Sequence, residues 1–208
     1  MGKEPLKIGW LFPGQGSQFI GMGKDLFEKS ELARDLYEIA DDILGFDIKS
    51  VVLDGTDEQL NKTKFTQPLI YVTSVILGKI LLDRGIKPFC VAGHSLGEYS
   101  ALTISNSVSF EKGLELVKVR SESMDMAGKL NSGTMAAIVG LDEKDVQLIC
   151  STYKGKGLVV IANYNSPKQI VISGTKDAIF RTIKKAKASG ARLAIELKVS
   201  GAFHSPLM

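Results

Sequence analysis

The chain has 208 residues, of which 44% are hydrophobic and 24% are charged, and its formal net charge is +3. These values are typical of a globular protein that builds a core, in one medium domain or two small ones. The small charge, with basic residues spread among acidic ones, argues against nucleic-acid binding. Cys90 and Cys150 form neither a CxxC pair nor a ligand cluster, so the sequence predicts no metal site and no disulfide, and it favours a reducing compartment.

Short apolar segments alternate with longer helical ones in the first half of the chain. The predicted strands are residues 8–12 and 89–92, and the predicted helices are residues 24–44 (as one helix or two), 66–84 (or 67–84), 96–104 and 110–128. Residues 56–59 have the spacing of a capping box and predict a further short helix. This alternation predicts a parallel sheet with helices on both faces.

The most apolar stretch, PLIYVTSVILGKILL, lies in the predicted helix 66–84 and carries Lys79. It is shorter than a typical membrane span, which needs about 20 apolar residues, and it therefore predicts a buried helix. We expect no membrane association.

From about Ser132 the spacing of the predicted elements changes. The predicted elements are strand 135–139, helix 143–153, strand 158–163, turn 165–168, strand 169–173, helix 177–188 and strand 192–199. The order β-α-β-β-α-β is the ferredoxin-like order. We therefore predict a ferredoxin-like subdomain at residues 132–199, inserted into a larger α/β subdomain at residues 1–131 to which residues 200–208 return.

Residues 93–97, GHSLG, match the pattern GxSxG between a predicted strand and a predicted helix. Glycines on both sides of a serine permit a sharp strand-to-helix turn that exposes the serine hydroxyl and directs a helix N-terminus toward it. Ser95 is thus a candidate nucleophile, and the backbone NH of Leu96 is a candidate oxyanion donor. The alternative is an ordinary tight turn in which the serine caps the helix.

A serine hydroxyl needs a base to accept its proton, and the chain has only two histidines. His94 adjoins the serine on the turn, where neighbouring side chains diverge, so it is badly placed for this role. His204 is the remaining candidate base, unless it is an incidental residue of the chain's tail.

Two further features lie outside this turn. Arg120 shares one face of a predicted helix with Leu116 and Met124, where an unpaired buried charge would cost several kcal/mol. Its guanidinium either reaches solvent or an internal acid, or it binds a ligand carboxylate through two parallel hydrogen bonds. The glycine-rich loop 12–18, FPGQGSQ, fits neither GxGxxG nor the P-loop pattern, and in a serine acyl-transfer enzyme such a loop can supply a second oxyanion NH.

Several segments together resemble the malonyl-CoA:acyl carrier protein transacylase family along essentially the whole chain. They are, in order, FPGQGSQ, TQP at 66–68, GHSLGEYSAL, KVRSESM, NYNSPKQIVISG and AFHSPLM. The resemblance implies an α/β-hydrolase-like parallel-sheet core with an inserted ferredoxin-like subdomain, in agreement with the elements predicted above. It implies no metal and no bound cofactor, because malonyl-CoA is a substrate.

The resemblance also implies roles for individual residues. Ser95 takes the acyl group as an ester, with His204 as the general base. The backbone amides of Gln15 and Leu96 form the oxyanion hole, and Arg120 binds the malonyl carboxylate. Malonyl would pass from coenzyme A to the serine and then to the phosphopantetheine thiol of acyl carrier protein, by a ping-pong mechanism of fatty-acid biosynthesis in the cytoplasm.

Two further implications concern the last residues of the chain. Phe203, directly before the candidate base, resembles the bulky residue of malonyl-selective family members and would crowd an α-methyl group. Family members are longer, so the resemblance implies that the chain is truncated after the catalytic histidine and lacks the part that orients it. We expect little or no transacylase activity from the chain unless that part is supplied in trans.

Three alternatives remain open. A serine esterase or thioesterase on the same turn would transfer the acyl group to water and would leave Arg120 without a role. A stand-alone acyltransferase of a polyketide synthase would share every residue discussed above. An inactive fragment that only binds the carrier protein would use a basic face of the helix 177–188. The alternative is that this face is only a solvated surface. Its basic residues are Arg181, Lys184, Lys185 and Lys187.

Overall fold

The computed structural model describes residues 7–208, which separate after Glu122 into two compact units. We call residues 7–122 the first unit and residues 123–208 the second unit. The first six residues of the predicted subdomain 1–131 lie outside the described residues. The predicted boundaries after residues 131 and 199 stay predictions, since the division after Glu122 falls within a single helix.

The first unit is built on a parallel pair of strands. Its elements are β1 (Gly9–Phe12), α1 (Lys24–Lys29), α2 (Glu31–Leu44), α3 (Ile48–Leu53), α4 (Asp57–Leu60), α5 (Thr63–Asp83), β2 (Cys90–Gly93), α6 (Gly97–Ile104) and the first part of α7 (Phe110–Leu130). Gly9 pairs with Cys90, and the register continues to Phe12 and Gly93. The parallel sheet that the sequence predicts is confirmed, and α6 packs against both of its strands.

The predicted helix 24–44 is two helices, because the backbone of Ser30 between them is extended. The Ser30 hydroxyl accepts a hydrogen bond from the amide of Ala33 and so caps α2. The sequence does not predict α3, which is six residues long, is capped by Asp47 and contains two adjacent valines of low helix propensity. Burial of its apolar side chains, rather than local propensity, stabilises this helix.

The next two helices agree with the sequence more closely. The Thr56 hydroxyl accepts a hydrogen bond from the amide of Gln59 at 3.1 Å, so α4 begins where the capping spacing predicts. α5 begins at Thr63, three or four residues before the predicted start at Thr66 or Gln67, and Pro68 lies inside it. Proline is tolerated best in the first turn of a helix, and Pro68 lies only five residues after the start of α5.

The helix α5 is the central element of the first unit. By length and hydropathy alone it would suit a membrane span, but 67% of its most apolar window is buried inside the protein. The prediction of a buried helix is therefore confirmed. Most of the other helices of this unit contribute side chains to the same apolar cluster.

The buried side chain of Tyr71 links three helices of the first unit. Its hydroxyl lies 2.8 Å from Thr103 Oγ1 on α6 and donates to the carbonyl of Phe110 at the start of α7, at 2.9 Å. Its ring stacks on that of Phe110 with 5.7 Å between the ring centres. Burial raises the pKa of the Tyr71 phenol to about 12, so the hydroxyl keeps its proton.

The second unit carries an antiparallel sheet with helices on one face. After the end of α7 its elements are β3 (Thr134–Val139), α8 (Glu143–Ser151), β4 (Val159–Ser166), β5 (Gln169–Gly174), α9 (Lys176–Ala188) and β6 (Leu193–Glu196). The strands lie in the order β4-β5-β3-β6, and each neighbouring pair is antiparallel. This is the ferredoxin-like topology, so that prediction is confirmed.

Two details of the second unit differ from the sequence prediction. The predicted four-residue turn 165–168 is wrong, because Ser166 pairs with Gln169 and only Pro167 and Lys168 form the turn. The last strand is four residues long instead of the predicted 192–199, because its pairing with β3 ends at Glu196.

We expect the substitution Tyr71→Phe to lower the free energy of unfolding by about 1–3 kcal/mol, because it leaves the Phe110 carbonyl and the Thr103 hydroxyl without this partner in a dry core. Urea denaturation followed by circular dichroism measures the change. The control Tyr164→Phe alters a tyrosine that is 60% exposed and should change stability by no more than about 0.5 kcal/mol. Equal stability of the two variants would contradict the assignment.

Candidate active site

The strand-to-helix turn places Ser95 between β2 and α6. Its backbone has φ of 53°, in the left-handed region that residues other than glycine rarely adopt. The amide of His94 donates to the carbonyl of Phe12 at 3.0 Å, which ties the turn to the end of β1. Leu96 follows with helical backbone angles and a completely buried side chain. This is the sharp strand-to-helix turn that the GxSxG spacing predicts, and the role of Ser95 as nucleophile stays a prediction.

The two glycines of this turn are required by the space around them. A Cβ atom on Gly97 would lie 2.1 Å from the carbonyl oxygen of Phe12. A Cβ atom on Gly93 would lie 2.0 Å from the carbonyl carbon of Gly97. Both distances are far below van der Waals contact, so the backbones of β1, β2 and α6 approach closely only because these positions carry no side chain.

Arg120, on α7, reaches the same turn from the other side of the first unit. Its Nη2 donates to Ser95 Oγ at 2.9 Å, and its Nη1 donates to Gln67 Oε1 at 2.5 Å. The guanidinium carbon lies 5.8 Å from the ring centre of Tyr99. Both hydrogen-bond acceptors are neutral, so within residues 7–208 no carboxylate forms an ion pair with this arginine.

Burial has the largest effect on the pKa of Arg120. Loss of hydration lowers the pKa of its guanidinium, and Tyr99 and the nearby carboxylate of Glu98 act in the opposite direction. A guanidinium is so basic that it stays charged at neutral pH. The predicted apolar stripe is only partly correct, because Leu116 on the same face is 41% exposed. The result is a partly buried cation beside Ser95 Oγ that forms no ion pair with any carboxylate in the described part of the chain.

The loop that follows β1 lies against the turn. A Cβ atom on Gly14 would lie 2.5 Å from the carbonyl oxygen of His94, so the two backbones are in direct contact. The side chain of Gln15 donates from Nε2 to Thr63 Oγ1 at 3.3 Å and accepts at Oε1 from Gln67 Nε2 at 3.5 Å. The loop is therefore held by side chains of α5 as well as by the turn itself.

His204 and Phe203 belong to the second unit. Phe203 is 5% exposed and packs with Met135 and Val171. His204 has φ of 57° and is exposed in a short turn, and the hydroxyl of Ser205 closes that turn by donating to the carbonyl of Ala202 at 2.6 Å. A second tie joins this segment to the end of α7, where Asn131 Nδ2 donates to the carbonyl of Leu207 at 3.0 Å. The last residues described are thus anchored, unlike a frayed tail.

The first unit by itself brings together four of the predicted site residues: Gln15, Ser95, Leu96 and Arg120. Gln67 joins two of them and was not predicted as a site residue, although it lies in the TQP segment. The signal that could have found it is a glutamine within the most apolar helix, since a buried amide needs hydrogen-bond partners.

Similarity to known proteins shows the family to which the chain belongs. Residues 9–208 match the acyl transferase domain family, and the chain belongs to that family. It is 44% identical over 203 residues to the malonyl CoA-acyl carrier protein transacylase of Bacillus subtilis, a match that covers 97% of this chain and 64% of that protein. The chain therefore spans about two thirds of the length of this relative.

Two solved structures are similar to the chain. The malonyl CoA-acyl carrier protein transacylase of Coxiella burnetii has a TM-score of 0.94 and 37% identity, with 98% of this chain and 65% of that one covered. A malonyl-transacylase in complex with its type II polyketide synthase acyl-carrier protein has a TM-score of 0.93 and 38% identity, with 98% of this chain and 66% of that one covered. The α/β fold with a ferredoxin-like part agrees with both.

We expect Gly97→Ala to lower the free energy of unfolding by about 1–3 kcal/mol, because the new methyl group must displace the backbone at the end of β1. The same displacement should slow covalent labelling of Ser95 by a sulfonyl fluoride, followed by intact-mass spectrometry. Gly45→Ala is the control: its added Cβ meets nothing within 4 Å, and only its φ of 79° is strained. Unchanged labelling in Gly97→Ala would show that the turn tolerates a side chain there.

Proposed function

We propose that the protein transfers a malonyl group from malonyl-CoA to the phosphopantetheine thiol of acyl carrier protein through an ester on Ser95. The observation that carries the proposal is the 2.9 Å contact between Arg120 Nη2 and Ser95 Oγ. In a malonyl ester only a methylene group separates the ester carbonyl from the free carboxylate. A guanidinium at Ser95 Oγ is therefore within reach of that carboxylate, and it can bind it through two hydrogen bonds.

In the first half-reaction, Ser95 Oγ attacks the thioester carbonyl of malonyl-CoA and His204 accepts the hydroxyl proton. The backbone NH groups of Gln15 and Leu96 stabilise the oxyanion that forms. The C–S bond then breaks, coenzyme A leaves as a thiol with the proton from the histidine, and malonyl remains as an ester on Ser95. The second half-reaction repeats these steps with the carrier thiol as nucleophile and the serine as leaving group.

The arginine beside Ser95 favours a dicarboxylic acyl group over the simple acyl group of a serine esterase or thioesterase. A serine esterase or thioesterase acting on a simple acyl group would have no use for a cation at its nucleophile, whereas a dicarboxylic acyl group needs one. Nothing in the site separates fatty-acid synthesis from polyketide synthesis, and we propose the former as the main pathway. We also propose that Phe203 disfavours an α-methyl group on the acyl chain, an effect worth about 1–3 kcal/mol for one methyl group.

We also propose that the protein needs no cofactor and that it acts in the cytoplasm. The two half-reactions balance without a redox group or a bound metal, and among residues 7–208 there is no group of three or more His, Cys, Asp or Glu side chains that could hold a metal ion. Cys90 and Cys150 are both free thiols, which suits a cytoplasmic location.

The proposed surface for the carrier protein is the exposed face of α9. The basic residues singled out from the sequence are all exposed on this helix, although Arg181 Nε is paired with Asp177 Oδ2 at 2.8 Å. Phe180 is 58% exposed, and Lys184 Nζ lies 4.4 Å from its ring centre. Among the described residues, the lysines of this face form no ion pairs, and an apolar ring lies beside them. Such a surface suits a carrier protein whose own docking face is acidic and carries an apolar residue.

The primary test is intact-mass spectrometry of the chain after mixing with malonyl-CoA. We expect a mass increase of one malonyl group in the wild type and none in Ser95→Ala, because the ester forms only on this hydroxyl. The assay follows the first half-reaction alone, so it does not depend on turnover. An adduct that persists in a folded Ser95→Ala variant, or no adduct on a folded wild-type chain, would contradict the proposal.

We expect the double substitution Lys184→Glu with Lys187→Glu to slow malonyl transfer from acylated protein to carrier by about tenfold, because it reverses charge on the docking face. Acylation by malonyl-CoA should be unchanged. The control, Lys154→Glu with Lys156→Glu, makes the same charge change on an exposed loop before β4. Equal effects of the two pairs on carrier transfer would show that only net charge matters.

A further inference from the structure

Gln67 is a completely buried polar side chain in the most apolar helix of the chain. It is 0% exposed, on α5. Burying an amide without hydrogen bonds costs roughly 1–3 kcal/mol, so its partners are part of the reason that it is tolerated. Two of these partners are residues of the candidate site: Arg120 Nη1 donates to its Oε1 at 2.5 Å, and its Nε2 donates to Gln15 Oε1 at 3.5 Å.

These contacts are links in one chain of side-chain hydrogen bonds. It runs from Ser95 Oγ to Arg120, then to Gln67, then to Gln15, and from Gln15 to Thr63 Oγ1. The link between the two glutamines is the longest and the weakest, at 3.5 Å. The chain joins the cation that would bind the acyl carboxylate to the loop that would supply an oxyanion donor.

The direction of the bonds follows from the charge of Arg120. A guanidinium only donates, so it must face the carbonyl oxygen of Gln67, and the amide nitrogen of Gln67 must then face Gln15. Because Gln15 receives a donor at its Oε1, its own nitrogen is left to donate to Thr63. The opposite orientation of either amide would set two donors against each other.

We infer that Gln67 is a positioning residue that holds the Arg120 guanidinium for the acyl carboxylate and couples it to the loop of Gln15. The inference rests on the proposed function. One guanidinium nitrogen, Nη1, is held by the buried amide, and Nη2 donates to Ser95 Oγ. The carboxylate of a malonyl group on Ser95 would lie close to this second nitrogen. Without the amide, the guanidinium loses the fixed acceptor that sets its plane.

The role of Gln67 predicts a loss of substrate discrimination and not a general loss of activity. Gln67→Met keeps the length of the side chain and removes the hydrogen bonds to Arg120 and to Gln15. Gln67→Glu keeps the shape and places a carboxylate next to Arg120, where it competes with the substrate for the guanidinium. Hydrogen bonds to a charged group correspond to roughly a tenfold to hundredfold effect, so we expect the ratio of the malonyl to the acetyl rate to fall by that factor in both variants.

The measurement is the single-turnover rate of Ser95 acylation by malonyl-CoA and, separately, by acetyl-CoA, read as release of coenzyme A. Arg120→Ala gives the ratio expected when the guanidinium is absent. Gln147→Met, an exposed glutamine of α8, is the matched control and should keep the wild-type ratio. A fall of both rates by the same factor in the Gln67 variants, or an unchanged ratio, would overturn the positioning role.

A stability cycle separates this inference from the proposed function. The variants Gln67→Met, Arg120→Ala and their combination should show a non-additive change in the free energy of unfolding, because the two side chains share a hydrogen bond. Additive changes would overturn the inference even if wild-type acylation is normal. A wild type that is folded but not acylated by malonyl-CoA would refute the proposed function, and the substrate-positioning role with it, whatever the cycle shows.

Discussion

The close approach of two backbone segments at the strand-to-helix turn is the constraint on which the rest of the site depends. Gly97, at the start of α6, lies against the carbonyl of Phe12 with no room for a Cβ atom, so the helix begins directly on the end of β1. This contact fixes the direction of the helix N-terminus and brings the loop after β1 beside Ser95. The position of Ser95 is therefore set by backbone packing, which side-chain rearrangement cannot easily disturb.

The second constraint on the site is that the partly buried charge of Arg120 has neutral hydrogen-bond partners. Arg120 donates hydrogen bonds to two neutral oxygens, which hold its guanidinium without cancelling its charge. A carboxylate from the protein would have made the pair self-contained and left no attraction for an anion. A partly buried cation that is surrounded by neutral dipoles still attracts anions. Because little water surrounds it, its electrostatic attraction for a small anion beside Ser95 would be only weakly screened.

Features fixed by local spacing are those that the sequence predicts well. The turn around Ser95, the buried helix α5 and the order of strands in the second unit all follow from short-range patterns of glycine and apolar residues. The sequence does not predict α3, whose valines disfavour a helix until burial compensates, or Gln67, whose partners are distant in the chain. The chemical roles implied by the resemblance stay predictions, because a hydroxyl or an imidazole carries no local mark of what it reacts with.

The backbone of Ser95 has a further consequence. With φ of 53° it adopts a conformation that glycine would take at almost no cost and that any other residue takes at a cost of about 1–3 kcal/mol. The fold and the proposed chemistry therefore make opposite demands at one position: the backbone favours a residue with no side chain, and the proposed reaction needs the side-chain oxygen of Ser95. In a laboratory selection for thermal stability alone, with activity left unmeasured, glycine at position 95 would be among the first substitutions to accumulate.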